Sequence, residues 1–441
     1  MEKNSCFREF AKYTSLNVMG MIALSCYILA DTYFVSKGLG ANGLTALNLA
    51  IPIYSFIHGS GLMIGMGGAT WYAIRKSQQD DASANRFFTY AVALAAAFAV
   101  LFVALGLFFS EGITKLLGAD ESVFEMSRTY LQVILLFAPA FLMNNVLLCF
   151  VRNDGAPQRS MAAMIVGSLS NVALDWVFIF PCNMGIFGAV FATGLAPLIS
   201  MAVLSPHFIL KQNRFHLIKC RPAFRDLRSI VESGLPSLVT EVSSGVVMIA
   251  FNTILLGLAG NVGVAAYGVI ANLSLVVIAM YTGIAQGIQP IISRSHGLKD
   301  HGRISATVRY AMIAMLGLSV LLYAAVFFGA SQIAGVFNSE GNALLQDMAT
   351  QGLRLYFTAC PFAGFNVILA MYFTSTERAR PAQAISLLRG FLLILPMAFL
   401  LSWIWKIQGV WCAFPVTELL VAMVGMGLWR LTQKKQDALP A

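Results

Sequence analysis

Twelve runs of apolar residues, most of them long enough to cross a bilayer, occupy nearly all of this 441-residue chain. A helix needs ~20 apolar residues to span the hydrocarbon. Inside it every backbone polar group must be bonded internally, which leaves only helices or closed barrels. Runs of this length select helices. Their approximate spans are 12–36, 44–74, 88–110, 126–151, 160–181, 185–210, 230–258, 263–293, 306–334, 348–374, 382–404 and 407–431. Several exceed the minimum, which implies tilt or extension past the hydrocarbon. The chain is 58% hydrophobic and 11% charged, against about 25% charged residues in a soluble domain. The expected fold class is an all-α membrane protein with twelve transmembrane helices.

The loops set the orientation. Those after segments 2, 4, 6, 8 and 10 carry Arg75, Lys76 and Arg86; Arg152 and Arg159; Lys211 to Arg228; Arg294, Lys299 and Arg303; and Arg378 and Arg380. The opposite loops are poor in Lys and Arg, and the one after segment 3 is acidic (Glu111, Asp120, Glu121, Glu125). By the positive-inside rule both termini are cytoplasmic. The net charge of +9 is thereby explained as loop charge. It forms no basic stripe of the kind that binds nucleic acid. The start, MEKNSCFREFAKYT, has no cleavable signal pattern, so the first segment is read as an uncleaved insertion signal. The seven cysteines are scattered without a CxxC pair. They indicate neither a disulfide framework nor a metal site.

The two halves are copies. DTYFVSKGLGANGLTAL from Asp31 resembles NTILLGLAGNVGVAAYG from Asn252, 221 residues later. A shift of 220 pairs Gly40 with Gly260, Gly43 with Gly263, Gly67 with Gly287 and Asp80 with Asp300. A second pair of segments places Pro139 opposite Pro361 and Asn144 opposite Asn366. The expected architecture is two pseudo-symmetric six-helix bundles: an N-lobe at 1–210, a basic cytoplasmic linker at 211–229 and a C-lobe at 230–441. Internal repeats of this kind mark transporters whose site lies at or within the repeats.

Acids inside apolar segments are costly, and are functional candidates for that reason. Four stand out: Asp31, Asp175, Glu241 and Glu418. Asp31, Asp175 and Thr193 lie roughly 7–12 Å below the outer ends of segments 1, 5 and 6 at ~1.5 Å per residue. Asn171 is one turn from Asp175 on the same face. Two carboxylates, an amide and a hydroxyl suit Na⁺. They equally suit a proton, since close carboxylates cannot both ionise cheaply. The bland alternative, hydrogen bonding between helices, stays open for Asn171 and Thr193. Glu241, near mid-membrane beside Pro236, could draw cationic, lipophilic substrates or be paired internally. Gln286, Gln289, Tyr281 and Asn366 either line a cavity or serve helix contacts, and Glu418 is likewise undecided. The five histidines form no cluster. Four near cytoplasmic loops are read as solvated and His58 as a packing contact.

Gly-rich pieces such as GLMIGMGG lie in apolar spans without βαβ context, so helix packing explains them better than nucleotide binding. No P-loop, HExxH or G-x-S-x-G motif occurs. An intramembrane enzyme would need a converging nucleophile–base pair or metal ligands, which no His or Cys cluster supplies.

LADTYFVSKGLG around Asp31, NVALDWVFIF at 171–180, GIFGAVFAT ending at Thr193, GIAQGIQPIIS at 283–293 and GLPSLVTEVSSG around Glu241 together resemble the MATE (multidrug and toxic compound extrusion) family. The last piece is similar to its bacterial MepA-like, DinF-related branch. The resemblance covers nearly the whole chain. It implies a V-shaped pair of six-helix bundles in the bacterial plasma membrane. It also implies antiport of Na⁺ or H⁺ against cationic drugs and dyes by alternating access, with no further cofactor and as a monomer. It carries the family's N-lobe cation site onto Asp31, Asn171, Asp175 and Thr193, and the helix 7 acid of some relatives onto Glu241; Glu241 and the cavity candidates Gln286, Tyr281 and Asn366 are the expected substrate contacts. Two departures stand: segment 1 lacks the proline some relatives have, with Leu16 at the repeat partner of Pro236, and segment 10 lacks an aspartate. The rival function is a lipid-linked precursor flippase of the same superfamily. It would want a basic central cavity, whereas Arg309, Arg354 and Arg389 are expected toward helix ends.

Overall fold

In a computed structural model, residues 2–338 and 341–437 are described; the end of the expected C-lobe, 438–441, lies outside them. Among the described residues there are helices and no strands. Helices α1 (Ser5–Gly40), α2 (Asn42–Ser77) and α3 (Asp81–Phe108) open the first bundle. They are followed by α4 (Phe124–Leu136 and Ala138–Asn153), α5 (Pro157–Ile179) and α6 (Gly185–Ile209). The second bundle holds α7 (224–260) and α8 (261–297), which are Phe224–Gly297 divided at Gly260. Then come α9 (His301–Phe337) and α10 (Ala343–Ser375). Helices α11 (379–405) and α12 (407–432) are Ala379–Thr432 divided at Lys406. The twelve helices correspond to the twelve apolar runs. Most are longer than the runs, because their cytoplasmic ends continue as polar turns.

The duplication is visible at the joints. Gly40 and Gly260 both turn the chain with positive φ, 67° and 62°, a conformation open to glycine because it has no Cβ. Asp80 and Asp300 are both N-caps, accepting from the backbone N–H of Ser83 (3.0 Å) and Arg303 (2.9 Å). Such caps satisfy donors that a helix start leaves free. Before Pro139 the two parts of α4 meet at 46°. Before Pro361, α10 tightens into a 3₁₀ turn at Phe357–Ala359. The copies differ at the last outer turn, where Gly185 (φ 61°) is matched by Lys406 (φ 55°, ψ −131°).

Each bundle has its own apolar core. One is built around Leu131, Ile134 and Phe150, the other around Phe251, Tyr281 and Trp411. Two helices cross between them. Phe10 and Tyr13, on the inner half of α1, belong to the second core. Val231, Leu235 and Leu238, on the inner half of α7, pack against the first.

The bundles meet along their cytoplasmic halves. Glycines there sit against the opposite backbone: Gly67 against Ile230, Gly234 against Met63, Gly283 against Val18 and Gly287 against Thr14. Trp71 Nε1 donates to Ser233 Oγ (3.1 Å), and Glu9 on α1 pairs with Arg294 and Arg303 of the second bundle. Toward the outer ends of α7 and α8, Gly257 and Gly268 face open space. The close backbone contacts between the bundles thus lie on the cytoplasmic side.

Two outcomes follow. Gly234→Ala drives a methyl group into the Met63 backbone, and overpacking costs ~1–3 kcal/mol. The cytoplasmic closure should loosen, read as about tenfold faster maleimide labelling of a cysteine placed at the fully buried Thr70 in a background without native cysteines. Lys406→Gly should raise thermal stability, since that backbone region is essentially reserved for glycine and costs about 1–3 kcal/mol otherwise.

Candidate functional site

Alpha-helical geometry brings four of the expected residues together in the outer part of the first bundle. Asp31 comes from α1, Asn171 and Asp175 from successive turns of α5, and Thr193 from α6. All four are buried, with Asn171 and Asp175 fully inaccessible. With its amide oriented so that both ends are satisfied, Asn171 donates to Asp175 Oδ2 (3.0 Å) and accepts from the Thr193 backbone N–H (3.2 Å). The Thr193 hydroxyl turns back to Ala189 O (3.1 Å).

The carboxyl groups of Asp31 and Asp175 face each other at close range. Ionised carboxylates only accept, so the two can bond each other only through a shared proton. One oxygen of each, Asp31 Oδ1 and Asp175 Oδ1, is buried without a hydrogen-bond partner. The site thus holds two orphaned acceptors flanked by an amide and a hydroxyl. A proton or a small hard cation would satisfy them.

Tyrosines complete the surroundings. Tyr130 of α4 lies beside Thr193 and the two acids, and the Tyr27 hydroxyl meets that of Tyr54 at 2.7 Å. Sequence reasoning passed over both Tyr27 and Tyr130. Tyr27 had a readable signal, since it stands four residues before Asp31 and so shares its helix face; Tyr130 had none.

Inward of this site runs a cleft enclosing about 790 Å³, part of it continuous with solvent. Tyr27, Tyr54, His58, Asn144, Glu241 and Gln286 line it, and Thr193 links it to the acidic pair. Glu241 is half-buried and reaches the cleft from α7. His58, stacked on Tyr54 with Nδ1 3.2 Å from the Asn145 amide, is the expected packing contact and also a wall of the cleft.

The other two substrate candidates are not brought to this place. Tyr281 is fully buried in the second core, with its hydroxyl 2.7 Å from Ser319 Oγ. Asn366 is fully buried and donates to Glu418 Oε2 (2.7 Å) and Glu418 O (2.9 Å). Glu418 in turn receives Arg389 Nη2 at 2.8 Å and Nε at 3.1 Å. Arg389 is therefore not a helix-end residue: it lies ~15 Å along α11, on a π-helical turn at Leu388–Leu392. Turns of that kind are rare and re-aim side chains. Glu418 is accounted for as half of a buried ion pair.

Two more sequence expectations change. Arg152, counted among loop charges, is 2% exposed and lines the cleft. It sits on the last turn of α4, which the second bundle covers. His207, expected in solvent, is also buried. Its Nε2 is 2.9 Å from Asp154 Oδ2, an acid that also accepts from Tyr72 (2.6 Å). Among the described residues no cluster of three His, Cys, Asp or Glu could hold a metal ion.

Comparison with known proteins places this geometry. The MatE family model matches residues 18–177 and 236–400, one stretch in each bundle. The multidrug export protein MepA of Staphylococcus saprophyticus is 23% identical over 427 residues, covering 96% of this chain and 94% of that protein. A crystal structure of a MATE protein in complex with MaL6 superposes with a TM-score of 0.91 at 22% identity, covering 97% of both chains. A multidrug resistance MATE transporter of the MOP superfamily in an outward-facing conformation gives 0.89 at 23% identity, covering 97% of this chain and 96% of that one.

The buried ion pair yields a test. Arg389→Met leaves Glu418 uncompensated and should cost ~3–5 kcal/mol, whereas Arg389→Met with Glu418→Leu should recover most of that loss. Thermal unfolding in detergent compares the three proteins.

Proposed function

Because this chain belongs to the MatE family, whose model spans both of its halves, we propose that it is a secondary multidrug exporter driven by entry of a coupling cation. The chain is a multi-pass membrane transporter of the plasma membrane and not an enzyme. The carrying observation is the buried Asp31–Asp175 contact with its two orphaned oxygens, set beside a cleft that is partly continuous with solvent. Asp31, Asn171, Asp175 and Thr193 bind the coupling ion, which is cargo rather than a resident group. Two carboxyls so close suit H⁺, which they can share; Na⁺ would use the same oxygens.

The cycle uses both ends of α1. In the outward-open state the ion enters from outside and neutralises the acids. The helix carrying Asp31 is continuous to Gly40 without a proline, and its inner half is packed in the opposite core. A shift at Asp31 is thereby delivered to the cytoplasmic closure without a proline kink. Cargo leaves outward, the bundles rock, and the ion departs inward. A drug is moved only if its affinity differs between the two states. Cationic, lipophilic drugs and dyes suit the half-buried Glu241 among aromatic walls. Gln286 shares that cleft, while Tyr281 and Asn366 act on cargo only through the packing of the second bundle. The functional lobes are 1–210 and 230–441, joined by 211–229, and one chain suffices.

The flippase reading can use Arg152 alone. One guanidinium in a cleft that Glu241 also lines does not supply the charge a pyrophosphate headgroup calls for, so export of cations is the better fit.

The test is efflux of a cationic dye from proteoliposomes under an imposed pH gradient and, separately, an imposed Na⁺ gradient. Asp31→Asn and Asp175→Asn should each lower gradient-driven efflux at least about tenfold, a loss of ~1.4 kcal/mol in coupling. Unchanged efflux in both variants would overturn this site.

A further inference from the structure

A ladder of polar side chains runs through the closed cytoplasmic half, where apolar packing would have sealed it more simply. At its head Arg152 donates to Asn17 Oδ1 (2.7 Å) and Gln286 Oε1 (2.8 Å). Below, Asn153 donates to Gln289 Oε1 (2.8 Å), and Gln289 donates to Thr70 Oγ1 (3.0 Å) and Ser293 Oγ (3.2 Å). Asn17, Gln286, Gln289, Thr70 and Ser293 are all buried. The ladder draws on α1, α2, α4 and α8, so its rungs join the two bundles. Chains of buried polar groups in membrane proteins are where protons and small cations travel. Here the ladder leads from the cleft that Glu241 lines toward the cytoplasmic ends of α2 and α8.

The group at its head is the one charge in it. Arginine keeps its proton under all ordinary conditions. The Arg152 guanidinium bonds only neutral acceptors: the two amide oxygens, Met66 Sδ at 3.2 Å and Cys149 Sγ at 3.6 Å. Its Nε has no partner. Amide dipoles satisfy part of its hydrogen bonding and leave its positive charge in place. A buried charge without a counter-ion is expensive, so a neutral residue would have made a cheaper latch.

We propose that Arg152 is a cation barrier, whose uncancelled charge at the floor of the cleft keeps the coupling ion and cationic cargo from slipping down the ladder. Fixed positive charge excludes protons and cations from other membrane pores in this way. Arg152 thus makes each ion cross by a full conformational cycle, which is what tight coupling requires. The inference rests on the cation-export reading, and its readout is separate: passive ion entry in the absence of any cargo.

Proteoliposomes with a trapped pH-sensitive or Na⁺-sensitive dye are given an inward gradient of H⁺ or Na⁺ and no drug. Arg152→Gln should raise entry of at least one of the two ions about tenfold over the unmodified protein. Arg152→Lys, which keeps the charge, should stay tight. Gln286→Glu places a carboxylate against the guanidinium and cancels its charge without removing it, so it should leak like Arg152→Gln. This variant decides the matter if Arg152→Gln fails to fold. Tight vesicles with Gln286→Glu, or equal leaks from the Gln and Lys variants of Arg152, would overturn the charge barrier. Absence of dye efflux by the unmodified protein would instead count against the export reading.

Discussion

Charge inside hydrocarbon has to be paired, neutralised or walled off, and each ionisable group buried between these helices meets that constraint differently. Asp31 and Asp175 lie together, where a shared proton removes one of the two charges. Glu418 is paired with Arg389 and further bound by Asn366. Glu241 stays half-buried at an open cleft. Arg152 is held by amide and sulfur acceptors alone. The two bundles therefore use their acids unlike one another. The first keeps two close acids with orphaned oxygens, whereas the second pairs its buried acid with its own guanidinium. Duplication supplied one frame, and the placement of charge made the copies unequal.

That inequality matters because the bundles are interlocked. Helix α1 has its outer half in one core and its inner half in the other, and α7 does the reverse. A small displacement of Asp31 is consequently not absorbed locally, because packed interfaces shift between discrete arrangements rather than deforming smoothly. The glycines at the cytoplasmic contact let backbones touch, which makes that interface intolerant of intermediate separations.

Much of this could be read from the chain. Helical rise put Asp31, Asp175 and Thr193 at one depth, and the four-residue spacing put Asn171 beside them, because both depend on local geometry alone. The repeat pointed to Gly40 and Gly260, and to Asp80 and Asp300, before their common roles as turn and cap were known. Partners far apart in sequence were not legible. Arg152 reads as a loop charge unless the second bundle is known to cover the end of α4. His207 reads as solvated unless Asp154 is known to face it. Arg389 needs both its π-helical turn and α12 to be recognised as the counter-ion of Glu418. In each case the missing information was which helix lies opposite, a property of bundle closure and not of any one segment.

The basic linker also proves to be more than a tether. From Arg214 to Ala223 its backbone is bonded to the first bundle: Arg214 N–H to Asp154, His216 N–H to Asn85, Ile218 N–H to Thr89 and Ala223 N–H to the Tyr90 hydroxyl, at 2.9 to 3.1 Å. The segment is strapped down along its length, so it has no slack. The extended peptide at Ala223 (φ −111°, ψ 102°) leads into α7, and the Arg86–Asp226 ion pair (3.0 Å) ties the start of that helix to the same bundle. Linker and inner α7 thus form one continuous strap on the first bundle, so the two halves are joined by a buckle and not by a cord.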